Sequence, residues 1–176
     1  MTRIAALLFF MQLLFSCNNV SRNKSESKDS VIFDPNTLND DFETCKQIRG
    51  QLLYLPVYSN VPYQIDTLKF DMSAFVAIHN TDLYNNIRLS KVLYFDQKGR
   101  LVDDFLKEES ISISPLSTKD FYIPYEDQSG TGANFLVEWH ADSLVNEPLI
   151  EAVTLCVKPN NTVAILSHGR IMREKK

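Results

Sequence analysis

The sequence predicts an all-β protein, built as an antiparallel β-sandwich of about eight strands. From about residue 50 onward, apolar and polar residues alternate with a period of two, and turn residues interrupt the pattern at roughly the 8–12-residue spacing typical of a sandwich. Aromatic residues are frequent, with 11 Phe and 7 Tyr, whereas Gly numbers only 5. This composition favours sheet over disorder. Two packed antiparallel sheets bury such strands, because each strand has one apolar face.

The first two strands are predicted before residue 80. Residues 52–58 alternate as a strand, and Pro56 places that strand at a sheet edge, because proline cannot donate to a central ladder. Apolar positions recur in phase in the next stretch, at Leu68, Phe70, Met72, Ala74, Val76 and Ile78. This pattern predicts one continuous strand. The residues Asn80-Thr81-Asp82 that follow are typical of a turn.

The later part of the chain continues the pattern. Residues 87–95 form the next predicted strand, and residues 96–99 form a type I turn with Gly99 in the left-handed conformation. The remaining strands are predicted at residues 100–105, 111–113, 121–125, 135–139, 149–157 and 162–170.

The start of the chain has the pattern of a secretory signal. Arg3 precedes a short apolar stretch at residues 4–15, well below the ~20 residues that cross a bilayer. Cys17 directly follows the small residue Ser16, and this junction resembles the lipobox of bacterial lipoproteins, whose cysteine carries the lipid. The resemblance implies a signal peptide over residues 1–16 and lipidation of Cys17, including palmitate. Because Asn18 follows the cysteine, enteric sorting rules imply an outer-membrane lipoprotein, expected to face the periplasm.

Removal of the signal leaves one domain and a tail. Residues 17–47 begin with a polar stretch that is poor in apolar residues, which predicts a tether between the lipid and a domain at residues 48–176. The mature charge is 17 basic minus 22 acidic residues, or −5. This acidity argues against nucleic acid as a partner, because nucleic-acid binding requires a basic stripe. The expected partners are the membrane, through the lipid, and an unknown envelope protein or glycan.

Two cysteines remain once Cys17 is lipidated. Outside the cytoplasm, Cys45 and Cys156 form a disulfide in one interpretation. In the other they are separate thiols, and Cys156 is a small core residue among apolar neighbours. The sequence leaves both open, because it does not place the two Cα atoms within the ~7 Å that a disulfide requires.

A glycine-containing loop and the strand after it make up the predicted binding surface, which consists of Ser129, Gly130, Gly132, Asn134, Glu138 and His140. The glycines leave backbone amides accessible to a ligand, and Glu138 is expected at an exposed strand position. In the alternative interpretation the loop is structural and its glycines only adopt positive φ. Trp139, on the opposite face from Glu138, is either a buried packing residue or an exposed platform for a sugar.

The sequence predicts no catalytic, metal or cofactor site. His79, His140 and His168 lie at three separate strand ends without the spacing of a metal motif. Ser167 and His168 are adjacent, so their side chains point to opposite faces of a strand. The expected function is therefore a non-catalytic binding or assembly module. The alternative is an envelope carbohydrate- or peptide-processing enzyme whose site the sequence does not reveal.

Several segments resemble an uncharacterised bacterial family, domain of unknown function 3124; these are residues 54–59, 78–82, 94–102, 127–139 and 148–153. The segment at residues 127–139 is the most distinctive, and the resemblance covers roughly residues 53–170. It implies a secreted or lipid-anchored protein and carries no activity, ligand or catalytic residue. Residues 76–105 also resemble bacterial immunoglobulin-like domains, in which a strand ending in Asn-Thr precedes a hairpin. That resemblance implies an immunoglobulin-like sandwich.

Overall fold

All strand pairs are antiparallel in the part of the chain that the structure, a computed structural model, describes: residues 33–35, 48–107 and 109–175. In chain order the strands are β1 (Arg49–Pro56), β2 (Asn60–Tyr63), β3 (Ile65–Asp71), β4 (Ser73–His79), β5 (Ile87–Phe95), β6 (Leu101–Asp104), β7 (Ile111–Ile113), β8 (Thr118–Ile123), β9 (Asn134–Ala141), β10 (Leu149–Lys158), β11 (Asn161–His168) and β12 (Arg170–Lys175).

These strands form two main sheets and a hairpin. The larger, six-stranded sheet has the order β12-β1-β9-β5-β6, with β7 also paired to β5. The four-stranded sheet has the order β11-β10-β4-β8, and β2 pairs only with β3. The chain passes from the four-stranded to the six-stranded sheet at Gly169, between β11 and β12.

The hydrophobic core lies between the inner faces of the two sheets. Val92 and Trp139 of the six-stranded sheet belong to the same buried cluster as Val76 and Ile150 of the four-stranded sheet. Each of these side chains is at most 3% exposed. This two-layer packing of antiparallel sheets confirms the predicted all-β sandwich. The immunoglobulin-like arrangement stays a prediction.

The hairpin formed by β5 and β6 has the predicted turn. β5 begins and ends at the predicted residues, and Gly99 has a φ of 75°. Oδ1 of Asp96 accepts hydrogen bonds from the backbone amides of Lys98 and Arg100, at 2.8 and 2.9 Å. The Asp96 side chain therefore holds the turn that its sequence predicts.

The edge position predicted for the first strand is wrong. β1 lies inside the six-stranded sheet, between β12 and β9. Pro56 is the last residue of β1 and lies opposite Asn134. Because the proline comes where the strand ends, its missing N–H does not interrupt the ladder.

The continuous strand predicted for residues 68–78 is also wrong, because the chain divides at Met72 into β3 and β4. These strands belong to different sheets. The Met72 side chain is fully buried, and its backbone amide donates to the carbonyl of Ser59 at 2.7 Å. The predicted strand at residues 162–170 divides in the same way at Gly169. Such divisions contribute to a count of twelve strands in the described residues, where the sequence predicts about eight.

The outer face of the six-stranded sheet carries a second apolar cluster, formed by Leu52, Leu93, Phe95 and Leu136. These side chains are 2–9% exposed. Phe33 packs edge-on against Phe95, with 5.0 Å between the ring centroids. Phe33, which belongs to the segment predicted to be a tether, therefore contacts the domain.

The predicted signal peptide and the predicted lipidation site at Cys17 lie outside the described residues. Within the described ranges, no helix is long and apolar enough to cross a membrane.

Candidate binding site

The structure places the residues of the predicted binding surface at two ends of β9. Ser129, Gly130 and Gly132 lie in the loop just before Asn134, the first residue of β9, whereas His140 is next to its last residue. At ~3.3 Å of rise per strand residue, Asn134 and His140 are about 20 Å apart. These residues therefore do not line one small pocket.

The loop before β9 is held by hydrogen bonds from its own backbone. The amide of Ser129 donates to Oδ2 of Asp127 at 3.1 Å, and the amide of Gly130 donates to Oγ of Ser59 at 2.9 Å. The Tyr94 hydroxyl also donates to Oδ2 of Asp127, at 2.8 Å. Burial raises the pKa of Tyr94, so its hydroxyl remains a donor. The amides of Ser129 and Gly130 are thus already paired, which supports the structural interpretation of this loop.

Only one of the two loop glycines has a conformation that requires glycine. Gly130 has a φ of 102°, and a Cβ at this position would lie 2.6 Å from Cδ of Gln97. Gly132 is exposed, and a Cβ there would meet only Cβ of Gln97, at 3.8 Å. The loop therefore depends on Gly130 and tolerates a side chain at Gly132.

The predicted exposure of Glu138 is wrong, because the side chain is only 2% exposed. Glu138 lies between Leu52 of β1 and Lys91 of β5, on the sheet face that carries the outer apolar cluster. Oε1 of Glu138 accepts a hydrogen bond from Oγ of Ser90 at 2.5 Å. Both faces of β9 are covered, so alternation along the strand does not separate a buried face from a solvent face.

Trp139 is a packing residue of the core. Its side chain is fully buried, and Nε1 donates to Oε1 of Gln51 at 3.2 Å. The Gln51 amide in turn donates to Glu147 at 2.6 Å and to Glu174 at 3.2 Å. Of the two interpretations that the sequence leaves open for Trp139, the buried one is confirmed.

The structure records Cys156 as a free thiol, 1% exposed, on the buried face of β10. This placement agrees with the interpretation of Cys156 as a small core residue. Cys45, the other cysteine of the disulfide that the sequence leaves open, lies outside the described residues.

The three histidines are divided between two places. His79 and His168 flank Glu151 on the four-stranded sheet, with N–O distances of 3.9 and 3.7 Å, whereas His140 lies on β9 of the other sheet. No group of three or more His, Cys, Asp or Glu in the described part of the chain is arranged to hold a metal ion.

A polar pocket of about 370 Å³ opens at the His140 end of the sandwich. Its lining consists of Tyr84, Asn85, Asn86, Ile87, Arg88, Ser112, His140, Ala141, Asp142 and Ser143. The register of the larger sheet brings three of these side chains into one row. Arg88 of β5 lies opposite Ser112 of β7 on one side and His140 of β9 on the other.

The charges in the pocket come from Arg88 and Asp142. Burial lowers the pKa of His140, and the neighbouring Arg88 guanidinium lowers it further, while Asp142 acts in the opposite direction. His140 is therefore neutral at pH 7 and offers one donor and one acceptor. The pocket combines these groups with the hydroxyl and amide side chains of its lining.

The loop of residues 80–86 fixes the rim of the pocket. Oδ1 of Asp82 accepts hydrogen bonds from the amides of Tyr84 and Asn85, at 2.9 and 2.8 Å, and Oδ2 accepts one from the amide of Asn146 at 2.9 Å. These backbone hydrogen bonds lower the pKa of Asp82 to about 2, and the one from the Tyr84 amide has the largest effect. The loop holds the Tyr84 side chain 85% exposed.

Sequence reasoning includes His140 in the predicted surface but misses Arg88, Tyr84 and the pocket itself. The turn residues Asn80 and Asp82 are the sequence signal for the ordered loop at the pocket rim, because such side chains cap their own backbone and fix a loop. The position of Arg88 beside His140 depends on strand register, which this sequence does not supply.

The chain matches the family model described as "Protein of unknown function (DUF3124)" over residues 50–172. The chain belongs to this family. The DUF3124 match extends from β1 into β12, so it includes both sheets and every residue that lines the pocket.

Among solved structures, this chain has some similarity to the one in the crystal structure of Thermotoga maritima 1070, with a TM-score of 0.42 and 11% sequence identity. That similarity covers 68% of this chain and 92% of the Thermotoga maritima chain. A comparison with curated proteins finds no match.

Proposed function

We propose that this DUF3124 protein is a lipid-anchored, non-catalytic binding module of the bacterial cell envelope, and that the pocket at the His140 end binds an acidic glycan. The observation that carries the proposal is the position of the Arg88 guanidinium beside neutral His140, in a polar pocket with Tyr84 exposed at its rim.

The chemistry of the lining matches that of a sugar with a carboxylate. Arg88 pairs with a carboxylate through its planar guanidinium. Tyr84 offers an aromatic face to a sugar ring, while Asn85 and Ser112 supply donors and acceptors for sugar hydroxyls. A volume of about 370 Å³ is within the range of small-molecule sites, and it accommodates a short stretch of saccharide.

Binding is favoured over turnover by the arrangement of the same side chains. A serine or cysteine nucleophile requires a base within hydrogen-bond reach. In the part of the chain that the structure describes, no hydrogen bond joins His140 to Ser112 or Ser143, although all three line the pocket.

A co-sedimentation experiment tests the pocket. We expect the protein to sediment with purified peptidoglycan sacculi, which carry carboxylates, and to bind chitin, an uncharged glycan, at least tenfold more weakly. Arg88→Ala removes the cation and should lower sacculus binding by tenfold or more. Arg170→Ala is the matched control, because Arg170 is an exposed arginine of β12 outside the pocket.

Three outcomes contradict the pocket proposal. These are no sedimentation with sacculi, equal binding to chitin, and equal losses for the two arginine variants. Release of soluble glycan fragments by the wild-type protein, abolished by His140→Ala, would instead support an envelope carbohydrate-processing enzyme.

The lipid anchor rests on the junction of Ser16 and Cys17, and it is tested separately. We expect Cys17→Ala to abolish fatty-acid labelling and to release the protein from the membrane fraction. Cys45→Ala, a matched control in the same segment, should leave both unchanged. Membrane association and labelling that persist in Cys17→Ala would overturn the anchor without affecting the pocket.

A further inference from the structure

The outer face of the four-stranded sheet carries an apolar row that crosses all four of its strands. Cross-strand pairing aligns Tyr122 of β8 with Phe75 of β4, Phe75 with Val153 of β10, and Val153 with Leu166 of β11. Tyr122, Phe75 and Leu166 are 57%, 41% and 56% exposed. Neighbouring cross-strand partners on one face contact each other, so these four side chains form a continuous stripe, the outer apolar row.

The exposed apolar surface extends beyond this row. Leu149 and Val157, on the same face of β10, are 45% and 73% exposed. A large apolar side chain has on the order of 200 Å² of surface, so a half-exposed one presents about 100 Å². The five partly exposed side chains on this face, Tyr122, Phe75, Leu166, Leu149 and Val157, together present roughly 500 Å². Patches of that size on a monomer are at the upper end of the usual range and are often functional. The outer apolar cluster of the other sheet, by contrast, is buried.

The charge of this face argues against a membrane or a nucleic acid as its occupant. The outward-facing positions of the four strands include neither Lys nor Arg, and their two acidic residues are Asp120 and Glu151. Anionic lipid surfaces attract clusters of basic residues, and phosphate backbones do the same. A flat, apolar, weakly acidic face is instead suited to another apolar protein face.

We propose that this face is a dimer interface, in which two copies of the chain pack through their outer apolar rows, sheet against sheet, about a twofold axis. A twofold interface uses the same patch on both copies, and aligned sheets pack about 10 Å apart. His79 and His168 flank Glu151 at 3.9 and 3.7 Å, so its carboxylate has imidazole neighbours on its own chain when it meets a second copy.

The buried area of this interface is small for a specific dimer. Two patches of roughly 500 Å² bury about 1,000 Å² of apolar surface, and with a polar rim the total reaches the lower end of the 1,200–2,000 Å² typical of specific interfaces. Interfaces at the low end of the size range are often weak and transient, and we expect a reversible dimer with a dissociation constant on the order of 10 μM. Confinement of both copies to one membrane by the proposed lipid would raise their effective concentration, but the interface itself does not depend on the lipid or on the glycan pocket.

Sedimentation equilibrium of the full chain, in a detergent matched to the density of the solvent, tests the proposal. We expect a monomer–dimer equilibrium for the wild-type protein. Leu166→Lys places a cation in the outer apolar row and should raise the dissociation constant at least tenfold. Leu144→Lys, at another exposed leucine (78%) that lies outside the two sheets, should leave it unchanged. Tyr122→Lys, on the opposite edge strand, repeats the test if Leu166→Lys does not fold.

Several results would overturn the dimer. A wild-type protein that stays monomeric up to 100-fold above the expected dissociation constant would do so, as would a dimer that survives both Leu166→Lys and Tyr122→Lys. Equal weakening by Leu144→Lys would also reject this face. Binding of the wild-type monomer to anionic vesicles, lost in Leu166→Lys, would assign the face to the membrane.

Discussion

Arg88 and His140 lie directly opposite each other on β5 and β9. This pairing places a permanent cation next to a half-buried imidazole at the wall of the pocket. Burial and the Arg88 charge both lower the pKa of His140 from its usual 6.5. The positive charge of the pocket at neutral pH therefore resides on Arg88.

The His140 titration tests this arrangement by NMR. We expect a pKa below 6.5 in the wild-type protein, and a higher pKa in Arg88→Ala, because the repelling cation is gone. The fold holds His140 neutral while the unfolded chain binds a proton at about pH 6.5, so this residue lowers the free energy of unfolding as the pH falls below that value. Arg170→Ala should leave the titration unchanged. An unaltered pKa in Arg88→Ala would show that the two side chains do not interact.

The two loop glycines should respond differently to alanine. Gly130→Ala should lower the free energy of unfolding by about 1–3 kcal/mol, because the alanine would have to adopt positive φ, with its Cβ 2.6 Å from Cδ of the Gln97 side chain. Gly132→Ala should be neutral or stabilise by up to about 1 kcal/mol, because it restricts the unfolded chain without a clash. Urea denaturation measures both. Equal losses at the two positions would contradict the structural role assigned to Gly130 alone.

Replacement of Glu138 should destabilise the fold. Glu138→Ala removes the nearer of two acceptors for the Ser90 hydroxyl, Oε1 at 2.5 Å, and leaves the backbone carbonyl of residue 138 at 3.3 Å. Because the side chain is 2% exposed, the loss should lower the free energy of unfolding by about 1–3 kcal/mol. Glu138→Gln retains an acceptor oxygen and should cost less. Glu126→Ala, at an exposed loop position, should change stability by less than about 0.5 kcal/mol. A fully stable Glu138→Ala variant would contradict the stabilising role assigned to its hydrogen bond with Ser90.

The Asp82 carboxylate should be the acid-sensitive element of the pocket rim. Its pKa is lowered from 3.8 to about 2, so the stability that it contributes is complete above about pH 4 and is lost as the pH falls toward 2. Asp82→Ala should speed hydrogen exchange at the amides of Tyr84, Asn85 and Asn146, which lose their acceptor. Asp103→Ala, on exposed β6, should not. Unchanged exchange at all three amides in Asp82→Ala would contradict the capping role.

Local patterns in the sequence predict much of the sandwich. β5 and the turn at Gly99 follow from alternation and from side-chain capping by Asp96, both of which involve residues close in sequence. The break at Met72 is not predicted, because apolar alternation continues through it while the chain changes sheets. Alternation predicts the wrong environment for Glu138, because it assumes one solvent face and β9 has two covered faces.

The candidate site is less predictable than the fold. His140 is included in the predicted surface, but with a loop that lies about 20 Å away. Arg88 lies opposite His140 because of the register of β5 against β9. Ser112 lies opposite Arg88 because of the register of β7 against β5. Register depends on contacts between residues distant in sequence, so composition and motifs do not locate this pocket.

The interior position of β1 determines when folding can finish. Gly50 pairs with Lys175, so the first strand of the larger sheet is hydrogen-bonded to its last. A nascent chain cannot complete this sheet until the ribosome has added residue 175, and contacts this distant in sequence form slowly. Until then β1 has only one of its two neighbouring strands, and the larger sheet is incomplete along that side.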